Sequence, residues 1–137
     1  LITIDFIAVA KPAHALHQLK RPITADDLEK HLQVIIRDSG YISKKDFGWL
    51  QASHQWSVSS IDTAVTAISN GLGFGWLPRN LISSYIDHKI LTPLPLREGQ
   101  HYRASLQLIF GDSEHAGPAT RTLAEIIKDV VNRSELD

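Results

Sequence analysis

The stretch Trp56–Pro78, WSVSSIDTAVTAISNGLGFGWLP, decides how this chain folds. Trp56 to Val58 read as a strand, and Ser59 with Asp62 three residues later places a hydroxyl and a carboxylate where free N–H groups open a helix. Ile61, Ala64, Val65 and Ile68 then fall on one helical face, and Asn70-Gly71 supplies left-handed residues that stop it. Phe74 to Leu77 form the next strand. Pro78 suits the first position of a further helix, with Leu81, Ile82, Tyr85 and Ile86 on one side. The glycines of Gly71-Leu72-Gly73-Phe74-Gly75 invite comparison with a phosphate-binding loop, but such a loop must follow a strand and open a helix. Here the helix comes first, so the glycines read as a helix stop and a tight turn into a strand.

The same alternation extends in both directions. Ile2 to Ala10, ITIDFIAVA, is rich in β-branched and aromatic residues and ends near Pro12. Thr24-Ala25-Asp26-Asp27 opens a short helix predicted to run to about His31. Gln33 to Arg37 read as a buried strand running into a turn at Asp38-Ser39-Gly40, and Tyr41 to Gln55 read mostly as loop, with an irregular element around Phe47 to Leu50. Ile90 to Leu94 and Arg103 to Phe110 are further strands. After Gly117-Pro118, the positions Leu123, Ile126, Ile127, Val130 and Val131 form the clearest amphipathic helix of the chain. Strands alternating with helices imply an α/β fold with a mostly parallel sheet and helices on both faces. In such sheets, ligands bind beyond the carboxyl ends of the strands.

Composition narrows the function. The 137 residues suit one globular domain with a sizeable core. No apolar run reaches the ~20 residues of a membrane-spanning helix, so the chain is expected to be soluble and to have no membrane partner. Fourteen Lys and Arg against fifteen Asp and Glu leave a formal charge of −1, so residues 1–137 alone should not bind DNA strongly. With no cysteine, disulfides, thiolate nucleophiles and Cys-based zinc sites are excluded. Leu1 leads straight into a strand and Met is absent, from which a preceding segment is expected.

The chemistry-bearing residues point to binding. Of the seven histidines only His14 and His17 lie close in sequence, without the further ligands a metal needs, and all seven read as surface residues. No Ser stands between glycines as a nucleophile elbow would require, and no cofactor motif is present. Two places suit a ligand. Ser59 and Ser60 sit where a strand meets a helix N-terminus, offering hydroxyls and N–H groups to an anion; plain helix capping explains the same residues. Arg37, Asp38 and Ser39 follow a strand, where the guanidinium could meet a carboxylate; a turn with a local ion pair is the alternative. Trp49, Trp56 and Trp76 could line an aromatic pocket, although Trp56 and Trp76 fall in strands and read as core.

At Trp56 to Pro78 the chain resembles the LysR-type transcriptional regulators, whose effector-binding domains carry a strand, a helix and a stretch like Gly71-Leu72-Gly73-Phe74-Gly75-Trp76-Leu77-Pro78. Phe6 to Ala10 with Pro12 to Leu16, Thr24 to His31, Ile36 to Gly40 and the closing helix agree in order, so the resemblance spans essentially the whole chain. It implies a cytoplasmic bacterial regulator of about twice this length, with an N-terminal helix-turn-helix that meets DNA. It also implies a two-lobed, type 2 periplasmic-binding-protein-like effector domain, self-association into a dimer or tetramer, and no cofactor. Residues 1–104 would be the second lobe, entered through the crossover strand 2–10. Residues 105–137 would be the return strand and a helix of the first lobe, whose apolar stripe is expected to dock on another chain. By analogy Arg37, Asp38, Ser39, Ser59 and Ser60 face the cleft, where a small effector, often a carboxylate, binds. Absence of cysteine from Arg37 to Gly48 departs from the peroxide-sensing branch. A transport-associated solute-binding protein of the same architecture and an enzyme on a two-lobed fold are the alternatives.

Overall fold

The computed structural model describes residues 2–37, 52–107 and 114–136. Its elements are β1 (Ile2–Ala10), α1 (Ala25–Glu29), β2 (Leu32–Ile36), β3 (His54–Val58), α2 (Ile61–Ser69), β4 (Phe74–Pro78), α3 (Arg79–Asp87), β5 (Thr92–Pro93), β6 (His101–Leu106) and α4 (Pro118–Leu136). They fall into two compact units, one of Asp5–Ala104 and one of Leu1–Ile4 with Ser105–Asp137. In the smaller unit, α4 presents Leu123, Ile126 and Val130 exposed.

The sheet runs β3-β2-β4-β1-β5, with β6 also paired to β1. β2 is parallel to both β3 and β4, whereas β1 is antiparallel to β4 and β5. The α/β class expected from the sequence holds, but the sheet is mixed where a mostly parallel one was expected. The reason is that β1 is not joined to β4 by a strand-helix-strand crossover. Such a crossover forces parallel pairing, and β1 is free of that constraint.

Helices cover both faces of the larger unit, and β1 shows why. Ile7 and Val9 point into a core shared with Val34, Leu77, Ala64, Val65 and Ile68 of α2 and Ile82 of α3. Ala8 and Ala10 point the other way, into a core with Phe74, Trp76, Ile23, Leu94, Leu28 of α1 and Leu16 of a short 3₁₀ turn, Ala15–Gln18. The period of two along each strand thus separates two cores. All five residues of β4 are buried.

β4 lies close against β2 because of its glycines. A Cβ on Gly73 would run into the Leu32 carbonyl oxygen, and one on Gly75 would sit 2.7 Å from the Val34 oxygen and 3.1 Å from Ile68 Cδ1. Gly71 does another job. With φ +83° it stops α2, and the N–H groups of Gly71 and Leu72 donate to the carbonyls of Ile68 and Ala67. Asn70, expected to share the left-handed role, has φ −87° and is still close to helical backbone. α3 ends on the same pattern with Lys89 at φ 58°, its N–H and that of Ile90 donating to Ile86 and Tyr85.

Several local expectations shift. Trp56 is not core: β3 is the sheet's outer strand, only Val58 of it is buried, and the Trp56 ring is 44% exposed. Trp76, on buried β4, is 8% exposed. α1 ends at Glu29, short of His31. Pro78 closes β4 and caps α3, while Leu81 and Tyr85 stay exposed and Ile82 alone is fully buried. Arg103 to Phe110 was expected as a strand; β6 runs His101–Leu106, and 108–110 lie outside the described residues, as does the element expected at Phe47 to Leu50. His14 is half-buried and engaged: its Nδ1 accepts from the Leu16 N–H at 3.0 Å, and its ring meets His31 edge-on at 5.1 Å.

Two substitutions test this packing by urea denaturation. Gly75→Ala should lose about 2–3 kcal/mol, because the added methyl meets backbone that cannot move aside. Lys89→Gly should gain about 0.5–1 kcal/mol, by removing the cost of a Cβ in left-handed backbone.

Candidate functional site

The carboxyl ends of the parallel strands collect the polar residues singled out in the sequence. Ile36 pairs with Val58 at the end of β2 and β3, and the Arg37 N–H donates to the Val58 carbonyl at 2.8 Å. Arg37, Ser59 and Ser60 are therefore brought to one sheet edge, all exposed. Asp38, Ser39 and Trp49 lie outside the described residues. The helix cap falls one residue later than expected: Ser60, not Ser59, is the N-cap of α2, its Oγ accepting from the Thr63 N–H at 3.2 Å and lying 2.8 Å from Thr63 Oγ1. Ser59 is left with an uncommitted hydroxyl among the described residues. Asp62 adds a carboxylate to the first turn, which already answers part of the helix dipole.

The edge continues through β4 and β1. Because β1 runs antiparallel, Phe6 lies opposite Pro78 at the end of β4. Asp5 Oδ2 is 3.3 Å from His101 Nδ1 and 3.9 Å from the Arg79 guanidinium, while Asp5 Oδ1 is buried without a hydrogen-bond partner among the described residues. Beside Ile36 and Ile61 lies a small hollow of about 120 Å³, lined also by Phe6, Gln33, Val34, Ile35, Trp76 and Tyr102. The Phe6 and Tyr102 rings stack at 4.7 Å with 5° between their planes, and burial pushes the Tyr102 hydroxyl up to about 12. Among the described residues no group of three or more His, Asp or Glu is placed to hold a metal ion. No described helix is long and apolar enough to cross a membrane.

Residues 1–132 match the family model described as the LysR substrate binding domain. The chain belongs to that family. Among the solved structures similar to it are three regulatory domains. The regulatory domain of variant C227S AphB from Vibrio vulnificus has a TM-score of 0.56 at 17% identity, over 90% of this chain and 64% of that one. The CcmR regulatory domain of Synechocystis PCC6803, in complex with 2-PG, has a TM-score of 0.59 at 18% identity, over 95% and 64%. The regulatory domain of CrgA, a LysR-type transcriptional regulator from Neisseria meningitidis, has a TM-score of 0.55 at 22% identity, over 73% and 51%. At these identities the likeness shows the fold, which is of the type 2 periplasmic-binding-protein kind. The chain spans less than two thirds of the length of each of these structures.

In this LysR substrate-binding domain, sequence reasoning missed the aromatic and charged half of the edge: Phe6, Tyr102, Asp5, His101 and Arg79. Their meeting depends on pairings between residues far apart in the chain, for which no local pattern exists. It also missed a larger hollow of about 540 Å³ on the α1 side of the sheet. Ile23, Thr24, Ala25, Leu28, Trp76, Arg97, Glu98, Gly99, His101 and Tyr102 line it. Trp76 and Tyr102 line both hollows.

One wall of the larger hollow is fixed by a carboxylate. Asp27 takes a two-pronged pair of hydrogen bonds from the Arg21 guanidinium at 2.7 and 2.8 Å, and bonds from the Thr24 N–H at 2.9 Å and hydroxyl at 3.0 Å. The Arg21 hydrogen bonds, followed by that of the Thr24 N–H, hold its carboxyl well below the usual carboxylate range. A depressed folded pKa stabilises the fold above the ordinary value of 3.8 and loses that contribution as pH falls below it. Asp27→Asn should therefore lower the urea midpoint at pH 7, and should make stability fall less steeply than in the wild type as acid is added below pH 3.8.

Proposed function

We propose that this chain is the small-molecule-sensing part of a LysR-type DNA-binding transcriptional regulator. The effector is held at the edge formed by Arg37, Ser59 and the N-terminus of α2. The family membership supports the sensing role, and one observation supports the placement: the Arg37 N–H to Val58 carbonyl bond brings Arg37 and Ser59 to neighbouring strand ends. An anionic head, such as a carboxylate, meets Arg37, the Ser59 hydroxyl and free helix N–H groups. The apolar part of the effector rests towards Phe6, Ile36, Ile61 and Tyr102. Asp38 and Ser39 belong to the same proposed site by sequence position. Residues 1–104 form one lobe of a two-lobed domain in this reading, and 105–137 return to the other lobe. Effector binding favours a closed arrangement of the lobes, and the regulator's hold on DNA changes with it.

This reading makes the chain a sensor and not an enzyme, as its membership of the LysR substrate binding domain family supports. The regulator is cytoplasmic, self-associates as a dimer or tetramer, and meets DNA through a helix-turn-helix that residues 1–137 do not contain. The regulatory domains among its structural relatives favour this over a solute-binding protein of a transport system.

A metabolite screen by thermal shift on the complete two-lobed protein identifies the effector, since a ligand at ~100 times its Kd adds ~2.7 kcal/mol. Ser59→Ala and Arg37→Gln should each shrink that shift while leaving the unliganded midpoint unchanged. Ser60→Ala should instead lower unliganded stability by about 1 kcal/mol, as loss of an N-cap does. An undiminished ligand shift in both Ser59→Ala and Arg37→Gln would show that the effector binds elsewhere.

A further inference from the structure

The hollow of about 540 Å³ lies on the α1 side of the sheet and is left unused by the effector reading. Its volume falls in the ~300–1,000 Å³ range of small-molecule sites. Its floor is Ile23, Leu28 and Trp76, exposed by 1%, 4% and 8%, with Tyr102 half-buried beside them. Inside, the Trp76 indole and the Thr24 donors are already matched. The Trp76 Nε1–H donates to the Gly99 carbonyl at 2.9 Å, and both the Thr24 N–H and its hydroxyl donate to Asp27. An apolar ring entering here strands none of these donors.

The rim is different. Arg97 and Glu98 are consecutive and exposed, carry opposite charges, and have no ion pair among the described residues. A simple carboxylate would gain Arg97 but be opposed by Glu98, and a simple amine would meet the reverse. A ligand bearing both charges on one end satisfies both residues. Trp76 and Tyr102 offer rings for an aromatic body in stacked or edge-on contact. We propose that this hollow is a second ligand site, distinct from the edge at Arg37 and Ser59, and that it takes an aromatic α-amino acid.

The test follows the Trp76 Nε1–H signal of the full chain by NMR, assigned with Trp76→Phe, during titration with L-phenylalanine. A saturable shift is expected, with phenylacetate and phenethylamine each binding at least ~5-fold more weakly, the loss of roughly one charge-assisted contact. Arg97→Gln and Glu98→Gln, both on the exposed rim, should each weaken L-phenylalanine to a similar extent. Ala25→Trp fills the hollow from its exposed side and should abolish the shift with the melting temperature retained. Because Trp76 also borders the smaller hollow, Ser59→Ala and Arg37→Gln serve as controls and should leave the titration unchanged. The proposal fails if no saturable shift appears up to about 10 mM, a Kd beyond which binding is weaker than about 3 kcal/mol. It fails equally if phenylacetate binds as well as L-phenylalanine, if both rim variants bind normally, or if the edge variants abolish the titration. That last result would place the amino acid in the effector site and leave the sensing role intact.

Discussion

The close approach of β4 to β2 is the constraint on which the rest of the larger unit depends. β4 is buried along its whole length, and Gly73 and Gly75 leave no side chain between its backbone and the carbonyls of Leu32 and Val34. Ile68 of α2 comes down on Gly75, so helix and sheet close over a strand with little bulk on that side. Once β4 is fixed, α2 and α3 settle on one face, and α1 with the 3₁₀ turn settles on the other. The strand ends that carry Arg37, Ser59 and Arg79 are then aligned by backbone pairing alone. The site is thus set by how closely two strands pack, at some distance from its polar atoms.

Much of this was legible because it is local. The Ser-rich start, apolar stripe and glycine stop of α2 are written in the run Ser59–Gly71, and the structure departs from them by one position at the N-cap and at Asn70, which is not left-handed. What was not legible was long-range. Trp56 read as core because its residue type suits a buried strand, but only the sheet order places β3 at the outer edge. The antiparallel course of β1 was hidden for the same reason: a strand's own sequence says nothing about its neighbour's direction. His14 escaped because its ring partner, His31, lies beyond α1 in the bend before β2.

The site divides along the same line. Arg37, Ser59 and Ser60 could be picked out because residues at strand ends and helix starts share a recognisable local grammar. Phe6, Tyr102, Asp5, His101 and Arg79 could not, since each acquires its place only when β1 pairs with β4 and β6. The division between Ser59 and Ser60 is also structural in origin. Two adjacent hydroxyls look interchangeable in sequence, yet one is tied to Thr63 and the other faces solvent.

The pairing of β1 with β4 has a consequence for how the chain finds its fold. Across the two strands, Ala8 stands opposite Trp76, Ala10 opposite Phe74 and Val9 opposite Gly75. In these three pairs a bulky residue faces a small one, while Ile7 and Leu77 meet as two large ones. No hairpin joins these strands, so turn geometry cannot choose their alignment, and the search must be settled between residues as distant in sequence as Ala10 and Phe74. A slip of one residue would set large against large, would exchange the two faces, and would leave both cores mis-filled. Complementary side-chain volumes act here as a lock and its key, and they spare the chain a connecting turn.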